Sequence, residues 1–326
     1  ELMVPSLPGF SGTMAGLIYW IIQWSTKVVR VAIIGGTGFV GGYVVDALLN
    51  GGHDVNLLVR PGSEGKVQRL DEVSVTSGNL DSTEALRSVL AHSDAVIYMV
   101  GLLREFPRRG ITFEQTQYQG VVDTVAAAEE QGVKRMLLMS AIGVKDPGTK
   151  YQQTKRRAEV HALDSGLDVT VLRPSVIFGD PRGTMEFATQ LYRDMVKPPL
   201  PAVAFAGVEM SPVYIEDVAA AFVAALADDA TVGQVLELAG PEVLGWDEMV
   251  RRVAAAAGKS KILLPMPLWV MRVGATLFDW LPFYPVTRDQ LTMLEEGNTG
   301  TAAVLEGLIG HPARALSTES LHYLRC

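Results

Sequence analysis

The chain has 326 residues, 48% of them hydrophobic and 20% charged, a balance that describes a globular protein and excludes a disordered one. Its 28 Lys and Arg against 36 Asp and Glu leave a formal net charge of −8, so no basic surplus exists to neutralise nucleic-acid phosphates. The lone cysteine, Cys326, excludes an internal disulfide framework and fits a reducing, cytoplasmic setting; His53, His92, His161, His311 and His322 lack metal-ligand spacing, so no metal is expected.

Residues 1–27 belong to no sheet pattern. Within them Met14 to Ile22, followed by Gln23 and Trp24, is apolar but short of the ~20 residues that cross a bilayer. No basic region precedes it as in a secretion signal. Two readings stay open: an interfacial anchor whose Tyr19, Trp20 and Trp24 suit the headgroup zone, or an extension packed on the domain.

From Val28 to Ile34 an apolar, β-branched run enters a glycine turn, and a helix-period pattern (Val40, Val44, Ala47, Leu48) leaves it. Gly35, Gly38 and Gly41 punctuate the turn. The first permits positive φ, the second lets backbone approach a ligand, and the third lets helix and strand pack closely. Free N–H groups and the helix dipole then converge where a pyrophosphate is welcome.

Asp54 to Val59 reads as a second strand ending at Arg60, where a dinucleotide fold faces the adenosine ribose. A carboxylate there would bind the 2′-hydroxyl of NAD. Here a guanidinium stands instead, with Lys66 and Arg69 soon after, which suits a 2′-phosphate and leans the choice to NADP(H) over NAD(H). The alternative is a solvated surface arginine.

Val73 to Ser77 is predicted as a third strand, and Asp81 with Glu84 marks a capped helix start. Asp94 to Val100 is a fourth strand ending in Gly101; a long helix follows from about Thr112 to Gln131. Arg135 to Ser140 and Asp168 to Leu172 are the fifth and sixth strands. Strands alternating with helices at this rhythm describe a doubly wound parallel sheet. Gly35, Arg60, Asn79, Gly101, Ser140 and Pro174 all fall at carboxyl ends of strands and should share one crevice.

Tyr151 and Lys155 are four apart at a helix start and so lie on one face. An ammonium beside a phenol favours the phenolate and lowers its pKa, giving an acid/base for a carbinol oxygen. Ser140 is placed to hold the same oxygen.

The Gly-Gly-Thr-Gly-Phe-Val-Gly turn, Arg60, Gly78-Asn79-Leu80, Ser140, Tyr151-Gln-Gln-Thr-Lys155 and the run Leu172 to Gly179 resemble the extended/atypical short-chain dehydrogenase/reductase superfamily. The strand Ala95 to Gly101 and the stretch Pro285 to Leu291 are most similar to the branch holding the NAD(P)H-binding accessory subunit of respiratory complex I and its bacterial relatives. The likeness covers about Val28 to Asn298.

The resemblance implies pyrophosphate contacts at Gly35, Thr37, Gly38, Phe39 and Val40, and Arg60 on the 2′-phosphate. It places Asn79 and Leu80 at the adenine, Gly101 near the riboses and Lys155 on the nicotinamide ribose. Pro174, Ser175, Val176 and Ile177 would run along the nicotinamide. Two departures stand out: Gln117 where extended members carry asparagine, which puts a proton relay in doubt, and Asn79 in place of aspartate.

The expected architecture is therefore α/β: a Rossmann-type NAD(P)-binding domain over 28–178, then a smaller interleaved lid over 179–326, some of whose elements return to the main sheet. Glu186 to Val196 is predicted as a helix, Ser211 to Ile215 as a strand before a helix opened by Glu216 and Asp217, and Val235 to Leu238 as another strand. Ile262 to Tyr284 carries helix-period apolar residues (Trp269, Val273, Leu277; Met271, Ala275, Phe278) over much of its surface. Such a helix is buried in the core or docks on a membrane or partner.

Two functions compete. One is an oxidoreductase on a carbonyl/alcohol pair using Tyr151, Lys155 and Ser140. The other is a nucleotide-bound accessory or assembly subunit of a membrane respiratory complex, peripheral on the inner face of the membrane, with a quinone or lipid nearby.

Overall fold

A computed structural model describes residues 28–267, Val270, Arg272 and 288–325. The expected N-terminal anchor or extension lies outside these residues, as does most of the apolar stretch after Met266.

Six strands alternate with helices: β1 (Arg30–Ile34), β2 (Asp54–Val59), β3 (Ser74–Ser77), β4 (Ala95–Tyr98), β5 (Arg135–Met139) and β6 (Asp168–Pro174). A later strand, Val235–Leu238, joins them beside β6. The result is a seven-stranded sheet in the order β3-β2-β1-β4-β5-β6 and then Val235–Leu238, with every pairing parallel. Helices α1 (Phe39–Asn50), α2 (Thr83–Leu90), α3 (Gly120–Gln131) and α4 (Lys150–Leu163) make the crossovers. This is the Rossmann-type doubly wound sheet.

Strand β1 explains why the core has two halves. Its side chains alternate across the sheet, so Val31 and Ile33 join one apolar cluster while Ala32 and Ile34 join the other. All four are essentially inaccessible, as both faces of a parallel sheet must be. The first cluster takes Val44, Val45 and Leu48 of α1 together with Val218, Ala221 and Phe222 of the helix Ile215–Ala227. The second takes Leu86, Val89 and Leu90 of α2, Val121 and Val125 of α3, and Ala158 and Ala162 of α4. Each fully buried Leu, Ile or Val contributes roughly 1.5–3 kcal/mol by leaving water. One strand thereby ties both layers to the glycine turn that follows it.

Beyond β6 the chain builds short paired strands outside the main sheet. Ile177–Phe178 pairs with Val213–Tyr214, Ala202–Phe205 with Leu263–Met266, and Glu209–Met210 with Leu244–Gly245. Trp246 closes this region, its ring 5.0 Å from that of Phe205 and its Nε1 donating to the Val203 carbonyl at 3.1 Å.

Several boundaries differ from the sequence expectation for local reasons. Ser82, not Asp81, caps α2, its Oγ accepting from Ala85 N at 3.2 Å. The helix expected from Thr112 opens with a widened π-type turn, Glu114–Gln119, before the regular α3. Glu186 caps a short helix, Phe187–Leu191, that passes into a second such turn, Tyr192–Val196. Leu263–Met266 is a strand and not the start of a helix, because it hydrogen-bonds along Ala202–Phe205. Among the described residues no helix is long and apolar enough to cross a membrane.

Candidate functional site

The glycine turn has the geometry its spacing implies. Gly35 sits at φ +100°, and a Cβ there would stand 3.0 Å from the Met99 carbonyl carbon. A Cβ on Gly41 would come within 2.2 Å of the Gly35 oxygen, so only glycine lets α1 approach the turn. Gly38 is the helix N-cap, and no side chain bonds the amides of the first turn; no acidic residue stands there either. Phe39 and Val40 open that turn, and Thr37 precedes it half-buried. A helix start with uncapped amides, no local anion and backbone brought close by glycine fits a diphosphate.

At the end of β2, Arg60 is exposed, and its guanidinium makes no hydrogen bond or ion pair among the described residues. Arg69, the other nearby candidate, is engaged: it donates to Asn50 Oδ1 at 2.8 Å and pairs with Glu72. Asn79 is exposed just past β3, while Leu80 is half-buried against Gly120 of α3. The carboxyl ends of β2 and β3 thus present Arg60, Asn79 and Leu80, with Lys66 six residues after Arg60.

The acid/base candidates stand beyond β1 and β4, at the end of β5 and the start of α4. Ser140 follows β5, its N–H donating to the Leu172 carbonyl of β6 at 2.7 Å. Its Oγ is buried and has no hydrogen-bond partner among the described residues. Tyr151 and Lys155 are both buried on one face of α4, and the Phe113 ring meets the Tyr151 ring edge-on at 5.7 Å. Gln117, Ser140 and Lys155 line one gap, too small for a water molecule, with Tyr98 and Val100. Gly101 borders it, since a Cβ there would stand 3.9 Å from Lys155 Nζ.

One expectation about this pair is corrected. Lys155 Nζ lies 5.9 Å from the Tyr151 ring centroid and donates to the Met139 carbonyl at 3.0 Å. Burial pushes the Tyr151 phenol up, not down, and burial lowers Lys155 to about 8 against the opposing pull of Glu159. In this arrangement the phenol keeps its proton.

Gln117, the departure from asparagine, is buried in the widened turn before α3. Its Nε2 donates to the Leu102 carbonyl at 2.9 Å and its Oε1 accepts from Thr154 Oγ1 at 3.2 Å. It therefore joins the loop after β4 to the helix bearing Tyr151. Pro174 ends β6, and its carbonyl accepts from Ile142 N at 3.0 Å. Ser175 is buried and donates to the Asn298 carbonyl at 3.1 Å, whereas Val176 and Ile177 stay half-buried beside it.

Sequence reasoning missed four contributors. Gln152 makes the capping box with Thr149, and the Thr-x-x-Gln spacing carried that signal. Glu159 is fully buried one turn after Lys155 and bonds Arg173 at 2.8 and 2.5 Å. Glu296 and Asn298 reach the site from far along the chain, where no local pattern announces them.

Fold and site together define a Rossmann-type dinucleotide-binding protein. The chain belongs to the NAD(P)H-binding family, which it matches over residues 35–229. Its cofactor is accordingly a nicotinamide dinucleotide. It is 28% identical over 298 residues to NADH dehydrogenase (ubiquinone) 1 alpha subcomplex subunit 9, mitochondrial, of Arabidopsis thaliana, covering 86% of this chain and 72% of that protein. It is also 28% identical over 254 residues to the ceramide reductase of Caulobacter vibrioides, covering 77% of this chain and 78% of the relative. Among solved structures, the crystal structure of gox2253 superposes with a TM-score of 0.73 at 21% identity, over 91% of this chain and 97% of that one. The relatives bear out the resemblance to the short-chain dehydrogenase/reductase superfamily and its complex I branch.

Proposed function

We propose that the protein is an NADP(H)-dependent oxidoreductase that interconverts a carbonyl and an alcohol. The observation that carries this reading is the orphaned Ser140 hydroxyl, buried beside Gln117 and beside Lys155 of the helix that also bears Tyr151. A hydroxyl that is buried without a partner is costly unless something completes it, and a substrate oxygen would. Gly35, Thr37, Gly38, Phe39 and Val40 hold the diphosphate. Arg60 holds the 2′-phosphate, and NADP(H) is accordingly favoured over NAD(H). Lys155 anchors the nicotinamide ribose, with Pro174, Ser175, Val176 and Ile177 along the ring and Gly101 beside the riboses.

The bound nicotinamide supplies or accepts the hydride. Ser140 Oγ–H donates to the carbonyl oxygen and fixes its direction. Tyr151, kept protonated by burial, gives its proton to that oxygen in the reductive direction. The substrate class that fits is a small carbonyl, a quinone or a lipid carbonyl; the relative named a ceramide reductase speaks for the last.

A second reading is a nucleotide-bound accessory or assembly subunit of a membrane respiratory complex. The turn of Lys155 away from Tyr151 toward Met139 favours it, as does the likeness to the mitochondrial alpha subcomplex subunit.

Calorimetric titration with NADPH, NADP⁺, NADH and NAD⁺, followed by NADPH consumption with aldehydes, ketones and quinones, tests both. The enzyme reading expects tightest binding of the phosphorylated forms, and turnover that Tyr151→Phe abolishes while sparing nucleotide binding. Tight retention of NADPH with no turnover, and recovery with membranes, would favour the subunit. Absence of heat with all four nucleotides overturns both.

A further inference from the structure

The helix Arg288–Glu296 and the residues after it lie across the site from a distance of more than a hundred residues in sequence. Glu296 accepts from Gln152 Nε2 at 2.7 Å and pairs with Lys145 at 2.7 Å. Two residues on, the Asn298 carbonyl accepts from Ser175 Oγ at 3.1 Å and from Ser211 N at 2.9 Å, while Asn298 N donates to the Glu209 carbonyl at 3.0 Å. Near its start, Gln290 Nε2 donates to the Leu103 carbonyl at 3.2 Å, in the loop that leaves β4. One short segment therefore grips the loop after β4, the start of α4 and the stretch after β6.

Gln152 is the centre of this grip. Only 3% exposed, it uses each of its amide groups: Oε1 accepts from Thr149 N at 2.8 Å, and Nε2 donates both to the Gly143 carbonyl at 3.0 Å and to Glu296. The ten residues from Ser140 to Thr149 form no helix or strand, so their path depends on such bonds. The Lys145 pair is half-exposed on both sides and holds little. The Gln152 bond is part-buried with a carboxylate acceptor, and bonds of that kind are roughly twice as strong as neutral ones.

We propose that Glu296 is a positioning residue: through Gln152 it fixes where α4 begins, and with Asn298 it sets Tyr151 and Ser140 against the Ser175 strip. The proposal rests on the reading of Tyr151 and Ser140 as the groups that meet substrate. Placement matters because a displacement of about 1 Å in a reacting group can cost on the order of 10²-fold in rate.

The test compares the full chain with Glu296→Ala and Glu296→Gln. The glutamine keeps an oxygen for Gln152 and drops the ion pair with Lys145. Hydrogen exchange without nucleotide is expected to quicken about tenfold over residues 143–153 in Glu296→Ala and to be partly restored in Glu296→Gln, whose acceptor is neutral. In the NADPH-linked assay Glu296→Ala is expected to lose about tenfold in kcat with the KM for NADPH little changed, again partly rescued by glutamine. Unchanged exchange over 143–153 in Glu296→Ala, or no rescue by glutamine, overturns the proposal. A wild type that binds no dinucleotide defeats the functional reading instead, and the exchange comparison still decides the role of Glu296.

Discussion

Lys155 stands one helical turn beyond Tyr151, yet its ammonium donates to the Met139 carbonyl, 3.0 Å away, at the end of the neighbouring strand. The lysine therefore staples α4 to the strand that leads to Ser140. A buried ammonium held by one neutral carbonyl and a more distant carboxylate is poorly compensated, and burial brings Lys155 from 10.5 down to about 8.

This has a consequence for stability. Between pH 8 and 10.5 the unfolded chain carries a proton on this lysine that the folded chain has shed, so folding becomes more favourable as pH rises through that window. Lys155→Met removes the penalty. Denaturant unfolding should find the variant more stable than wild type by about 1–3 kcal/mol at pH 7, the gap closing toward pH 10.5. A gap that stays constant with pH would show that Lys155 is not the group responsible.

Gly38 and Gly41 stand three residues apart in one motif, yet their physical roles differ. A Cβ on Gly41 collides with the Gly35 oxygen at 2.2 Å and the Gly36 Cα at 2.7 Å, both rigid backbone. Gly41→Ala should lower stability by about 2–4 kcal/mol and abolish nucleotide binding with it. A Cβ on Gly38 meets nothing nearer than the Gly35 oxygen at 3.4 Å. Gly38→Ala should therefore keep its Tm while losing roughly tenfold or more in dinucleotide affinity, since the methyl would occupy the face proposed to meet the diphosphate. Thermal melts with and without NADPH separate the two; equal melting losses would refute the division.

Arg60 offers the cleanest reading of cofactor choice because nothing in the described fold uses it. Arg60→Ser should leave stability within about 0.5 kcal/mol of wild type. NADPH affinity should fall roughly 10- to 100-fold, from loss of a charge-assisted contact, with NADH affinity unchanged. Calorimetry with both nucleotides decides it, and equal loss for NADH and NADPH would move the 2′-phosphate away from Arg60.

Much of the sheet was legible because parallel strands buried on both faces read as continuous apolar runs: Val31 to Ile34 and Ala95 to Tyr98 announce themselves. The glycine turn was legible because positive φ at Gly35 and close approach at Gly41 leave no other residue type suitable. The direction of the Tyr151 shift was not. Spacing places two side chains on one face of α4 but cannot say that the Met139 carbonyl competes for the ammonium. Nor could spacing find Glu296, whose partner Gln152 lies 144 residues away. The widened turn at Gln117 was hidden for a similar reason, since it answers to the Leu102 carbonyl and Thr154, not to its own neighbours.

Glu159 sits behind this machinery, fully inaccessible, with Arg173 bonded to both its oxygens at 2.8 and 2.5 Å and Arg156 at 3.1 Å. It also raises Lys155 against the effect of burial. Removing its charge leaves the largely buried Arg173 guanidinium facing a neutral amide, the costly way to break a buried pair, so Glu159→Gln should destabilise by about 3–5 kcal/mol. The same change withdraws the carboxylate that favours the Lys155 ammonium, which should move the lysine's titration further below about 8. The pH window over which stability rises should then open at lower pH than in wild type. Urea unfolding across pH 6 to 10 measures both effects at once. A large loss of stability with no movement of the window would confine Glu159 to holding Arg173, and a loss under about 1 kcal/mol would mean that the pair is solvated after all.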